Sequence, residues 1–129
     1  MSELSKKTLW LIDDDFTFRY VFRCIVESHN LVDEFVEFEN GEVALHALMD
    51  CHERDQQPYV ILVDIHMPVL DGWGFLEKLQ ALPQGQLRSE IYLISSSIAE
   101  VGQRSGATYP QLAGHVSKPI SVDKICAVL

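Results

Sequence analysis

The sequence predicts an open, doubly wound α/β domain, in which five parallel strands carry helices on both faces and the fourth helix is short or irregular. Three observations carry this expectation. Apolar runs of strand length at Thr8 to Ile12, Val60 to Val63 and Ile91 to Ile94 alternate with stretches whose apolar residues recur at helical spacing. The run Val60-Ile61-Leu62-Val63 is apolar throughout and rich in β-branched residues, which suits a strand covered on both faces. The repeating order of strand and helix is what right-handed crossovers between parallel strands produce.

Each element follows from local chemistry. Thr8 to Ile12 is a short strand that stops at Asp13, Asp14 and Asp15. A helix is expected from about Phe16 to Ser28, because Phe18, Val21, Phe22 and Ile25 fall on one face and Asp15 can cap it. Val32 to Glu39 alternates, with Val36 and Phe38 on one side and Glu37 and Glu39 on the other, as in a half-exposed edge strand. Asn40-Gly41 ends it. A helix of about ten residues then aligns Ala44, Ala47, Leu48 and Cys51, leaving His46 and His52 in solvent, before the polar linker at 53–58. The central strand ends at Asp64, and Asp71 caps a helix running through Phe75 and Leu79. Pro83-Gln84-Gly85 breaks the chain ahead of the strand Glu90 to Ile94, which runs into Ser95, Ser96 and Ser97. From Ile98 to Leu112 the pattern is interrupted by Gly102, Gly106 and Pro110, so a short or mobile helix is expected there. Gly114 to Ser117 forms a small strand ending at Lys118-Pro119, and Val122, Ile125, Cys126 and Leu129 give a last helical stripe after Ser121.

Length and composition bound the function. A chain of 129 residues, 47% hydrophobic, is one domain with one real core, residues 1–6 forming a tail. A formal charge of −9, from 19 acidic and 10 basic side chains, argues against a nucleic-acid or anionic-membrane surface. No run approaches the roughly 20 apolar residues that span a bilayer. Cys24, Cys51 and Cys126 lack a CxxC spacing and are expected to be reduced core residues of a cytoplasmic protein.

In a parallel sheet all strand ends face one rim, where ligands bind. Four of the five expected strands end in reactive side chains: Asp13 and Asp14, Asp64, Ser95, and Lys118. Asp64 lies too far upstream to cap the helix that Asp71 starts. Three crowded carboxylates raise one another's pKa, and a hard cation relieves this; an oxygen-only set suits Mg²⁺ rather than zinc. With charge drawn off, a carboxylate can attack phosphorus while Lys118 and the Ser95 hydroxyl hold the phosphoryl oxygens.

At these residues the sequence resembles the receiver domain of bacterial two-component response regulators, a flavodoxin-like fold. The resemblance covers nearly the whole chain and rests on the acidic pair Asp13-Asp14, on Asp64-Ile65-His66-Met67-Pro68-Val69-Leu70-Asp71-Gly72, on Ser95 and on Lys118-Pro119. It implies Asp64 as phosphoacceptor, Asp14 as a direct Mg²⁺ ligand, Asp13 as a ligand largely through water, and the His66 carbonyl completing the site. Lys118 would grip the phosphoryl group and Ser95 would swing toward it as the switch. The donor would be a sensor histidine kinase or a histidine phosphotransfer protein. The signal would leave through contacts with a downstream protein, because these residues hold no DNA-binding or enzymatic output unit.

Some positions depart from the commonest pattern of that family. Ser95 stands where Thr is usual, so its χ1 is less restricted. His115 occupies the place of a switching aromatic, where an imidazole either turns inward as a pH-sensitive element or lies on the surface. The His66 side chain, at the mouth of the site, is expected to affect hydrolysis of the acyl phosphate. Two rival readings are weighed. Asp13-Asp14-Asp15-Phe16-Thr17 also fits the nucleophile motif of haloacid-dehalogenase-like phosphohydrolases, with Asp13 attacking and Asp15 as general acid. That family needs a downstream acidic pair, whereas only Asp123 follows Lys118. A receiver fold serving only as a docking scaffold fits less well, since every charged member of the site is present.

Overall fold

The computed structural model describes residues 7–53, 58–67, 70–80, 88–96 and 112–129, with the backbone alone for 51–53. Its elements are β1 (Thr8–Ile12), α1 (Phe16–Ser28), β2 (Glu34–Phe38), α2 (Gly41–Glu53), β3 (Val60–Asp64), α3 (Gly72–Leu79), β4 (Glu90–Ser95), β5 (Leu112–Ser117) and α4 (Val122–Val128). All strand pairs are parallel, and the order across the sheet is β2-β1-β3-β4-β5. The doubly wound α/β expectation therefore holds. Of the irregular helix expected over 98–112, residues 98–111 fall outside the described residues and Leu112 opens β5.

Because side chains alternate across a strand, the sheet divides the core in two. Trp10, Ile12, Ile61, Val63, Ile91 and Leu93 pack with Ala44 and Leu48 of α2 and Phe75 and Leu76 of α3. Leu9, Leu11, Val60, Leu62 and Ile94 pack with Phe22 and Val26 of α1 and Ile125 and Val128 of α4. β3 is buried at every residue, as its unbroken apolar run predicts.

Caps follow the sequence closely. Asp15 accepts from the amides of Thr17 and Phe18, Asp71 from that of Gly74 at 2.7 Å, and Ser121 from that of Lys124. Asn40 does more than end β2, since its side chain accepts from the Val43 amide at 2.9 Å and starts α2, which runs to 13 residues.

The structure corrects several expectations. Cys24 and Cys126 are exposed, not core. Cys24 lies two residues from Phe22, about 200° around the helix, and Cys126 is turned off the stripe formed by Ile125 and Val128. Cys51 has no described side chain. Val21 is 45% exposed, because α1 rests on Phe22 and Val26. Glu37 is no solvent-face residue: it is partly buried and pairs with both Arg19 and Arg23. β5 begins two residues earlier than expected, at Leu112, with a register irregularity opposite Ile91 and Tyr92.

Candidate functional site

Register brings the site together. Asp13 follows β1 and Asp64 closes β3, and the ladder pairs Ile12 with Val63, so one step on Asp13 stands level with Asp64. Partners in a parallel ladder share a face of the sheet and successive residues alternate. Asp64 pairs with Ile94, which gives the same face to Ser96; Ser95 pairs with Ser117, which gives that face to Lys118. It is the face covered by α1 and α4.

Two serines stand at the end of β4. Ser95 closes the strand and is buried at 3% exposure. Ser96, the next residue, lines a cavity of about 520 Å³ together with Lys118, Asp15, Phe18, Val21 and Ile120.

Asp13, Asp14 and Asp64 each offer a carboxylate oxygen within 4.8 Å of the others. Asp13 is fully buried, Asp64 nearly so, and Asp14 is exposed. Lys118 Nζ lies 3.3 Å from Asp13 Oδ2 and 3.7 Å from Asp64 Oδ1. The Asp15 amide donates to Asp13 Oδ1 at 2.8 Å, whereas Asp13 Oδ2 is buried without a hydrogen-bond partner among the described residues, Lys118 standing near it but off hydrogen-bond geometry.

Burial raises both carboxyls. Asp64 is pushed up to about 6, by burial first and then by the charge of Asp13, while Lys118 and a hydrogen bond from the His66 amide pull the other way. Burial likewise raises Asp13, against the Asp15 amide and the Lys118 ammonium. An all-oxygen set with two buried acids that resist ionisation fits a hard divalent cation, whose charge replaces the missing protons. The cluster could hold a metal ion.

Two braces escaped the sequence. Arg19 donates from Nη1 to the Asp13 carbonyl at 2.6 Å and from Nε to Glu37 at 3.2 Å, tying the acidic loop to edge strand β2. Lys124 donates to the Ser117 carbonyl, the Ser117 hydroxyl and the Pro119 carbonyl at 3.0, 3.1 and 2.8 Å, holding the turn that carries Lys118, where Lys118-Pro119 is cis. Neither has a local signature, since the acceptors are mostly backbone carbonyls.

His66 is exposed beside Asp64, and His115 is exposed on β5. Asp15, the general acid of the hydrolase reading, is committed as the cap of α1.

Gly72 sits against the exit of β3. A Cβ there would meet the Asp64 carbonyl oxygen at 2.7 Å and Ile65 Cα at 3.0 Å, both backbone. Gly72→Ala is expected to cost about 1–3 kcal/mol in urea unfolding and to weaken Mg²⁺ binding by displacing Asp64.

Fold and site together define an α/β domain whose carboxyl rim sets an acidic, cation-ready cluster beside a lysine, the kind of site that handles phosphoryl groups. The chain matches the response regulator receiver domain over residues 9–129 and belongs to that family. It is 29% identical over 128 residues to protein-glutamate methylesterase/protein-glutamine glutaminase 1 of Syntrophomonas wolfei, covering 93% of this chain and 33% of that protein. It is 24% identical to the DNA-binding transcriptional regulator NtrC of Proteus hauseri, over 98% of this chain and 24% of the relative. The chain thus spans a quarter to a third of these two relatives' length. Among solved structures, a two component response regulator from Cytophaga hutchinsonii superimposes with a TM-score of 0.83 at 24% identity, covering 94% and 92% of the two chains. Vibrio cholerae CheY4 gives 0.74 at 18%, covering 97% and 100%. The protein is a receiver domain homologous to two-component regulators, a family that generally binds Mg²⁺ and interacts with histidine kinases or phosphotransfer proteins and with downstream targets. Among the described residues no helix is long and apolar enough to cross a membrane.

Proposed function

We propose that Asp64 accepts a phosphoryl group from a phosphohistidine on a sensor kinase or phosphotransfer protein, and that the resulting acyl phosphate is the signal. The observation that carries this is the Lys118 ammonium within 4 Å of both Asp13 and Asp64 at the rim of the sheet. An Asp64 oxygen attacks phosphorus; a P–O bond forms, the P–N bond breaks, and its electron pair leaves with the imidazole. Lys118 neutralises oxygens of the transferring group, and the Ser95 hydroxyl at the end of β4 swings toward them after transfer. Asp13, Asp14, Asp64 and the His66 carbonyl would hold Mg²⁺, which when bound offsets the negative field that repels an incoming phosphate. Arg19 and Lys124 keep the loops bearing Asp13 and Lys118 in place. Hydrolysis of the acyl phosphate resets the protein, and the exposed His66, two residues past Asp64, affects its rate. A cytoplasmic setting and an output through protein contacts complete the reading.

The test is incubation of the purified chain with acetyl phosphate and Mg²⁺. The expected result is one labile phosphate per chain, mapped to Asp64. Steady turnover of the donor that depends on Asp13, with Asp64 unlabelled, would overturn the reading in favour of a hydrolase.

A further inference from the structure

Lys118 is placed by more than its two carboxylates. Its Nζ lies over the Phe18 ring, 4.3 Å from the centroid. A lysine ammonium is a compact charge on a flexible four-carbon stem, and nothing in that stem selects one position. The side chain is 25% exposed and shares its cavity with the exposed Asp15 and with Ser96. An outward swing toward Asp15 and water is therefore open to it unless something favours the inward position. The face of an aromatic ring does so, because its quadrupole attracts a cation without contributing a negative charge to a site already crowded with them.

The ring is itself anchored. Phe18 sits in the first turn of α1, where its amide donates to the capping Asp15 carboxylate. It tilts against the fully buried Phe22 at 6.1 Å, and Phe22 stacks on Phe35 at 5.6 Å and 11°. The series Phe35, Phe22, Phe18 ends at the ammonium, so the wall that Lys118 meets is backed by the core.

We propose that Phe18 is a positioning residue, whose ring face holds the Lys118 ammonium over the space between Asp13 and Asp64 where phosphoryl oxygens are to be gripped. The consequence for phosphoryl transfer rests on the function proposed above; the placement of the ammonium does not. A leucine at this position keeps an apolar contact and removes the quadrupole, whereas a tyrosine keeps both.

The experiment has two arms. In the first, NMR of the unmodified protein is expected to show the Lys118 ε-methylene protons shifted upfield by the ring current, and the shift is expected to vanish in Phe18→Leu and persist in Phe18→Tyr. In the second, labelling by acetyl phosphate with Mg²⁺ is expected to slow roughly 3- to 10-fold in Phe18→Leu and to recover in Phe18→Tyr, while Mg²⁺ affinity, read by tryptophan fluorescence, stays unchanged. Absence of the upfield shift in the unmodified protein would overturn the proposal alone, whether or not Phe18→Leu folds. Labelling of Phe18→Leu at the unmodified rate, or equal slowing in Phe18→Tyr, would also overturn it. An unmodified protein that takes no label faults the proposed function, and the ring-current arm still decides the placement.

Discussion

Asp64→Asn is expected to reduce phosphoryl uptake to background with every donor, while leaving the fold intact. An amide has nearly the shape of the carboxylate but no anionic lone pair to attack phosphorus. Asp64 closes a strand buried at every residue and is held at the rim by the β3 ladder. Asp13, the nearest candidate, is fully buried, and its Oδ1 is occupied by the Asp15 amide. Mass analysis after acetyl phosphate treatment checks this directly. Persisting label at full stoichiometry would place the acceptor elsewhere and end the assignment.

The same substitution is expected to stabilise the metal-free protein at neutral pH, and the gain is expected to disappear on acidification. Burial and the charge of Asp13 raise the Asp64 carboxyl from 3.8 to about 6 in the folded chain. Below the unfolded value both states bind the proton and the fold loses nothing. Between the two values the unfolded chain ionises first, so stability falls as pH rises through about 6; above it the folded state carries the whole penalty. A shift of that size corresponds to a ceiling on the order of 3 kcal/mol. Urea unfolding of the two proteins at about pH 7.5 should therefore differ by about 2–3 kcal/mol in favour of the Asp64→Asn variant, and the gap should close as the pH falls below the unfolded value of 3.8. Saturating Mg²⁺ should close it from the other side at neutral pH, because binding to the native acids stabilises only the unsubstituted protein. A gap that widens in acid would mean that the ionised carboxylate is favoured by folding, contrary to its burial.

What the sequence disclosed, and what it withheld, follows from the range of the forces involved. Asp13, Asp64 and Lys118 were legible because each follows an apolar run, and parallel strands must end on one rim. The capping roles of Asp15 and Asp71 were legible because a cap acts within three residues. The burial of Ser95 was not legible, since it depends on the pairing of Ser95 with Ser117, a relation between distant segments. Arg19 was hidden for the same reason: its partners are a backbone carbonyl and a glutamate on another strand. Cys24 and Cys126 were misread because hydropathy alone does not say which residues of a helix meet the sheet, and α1 and the last helix bury Phe22, Val26, Ile125 and Val128 instead.

The partition of the core has a mechanical meaning. Two shells of helices are fastened to opposite sides of a wall one residue thick, and neither shell touches the chemistry alone. Phe18 reaches it from the α1 shell, while Gly72, at the head of α3, is wedged from the other shell against the backbone of Asp64. A load taken up at that rim is therefore shared by both halves of the molecule, like a bolt driven through a laminate.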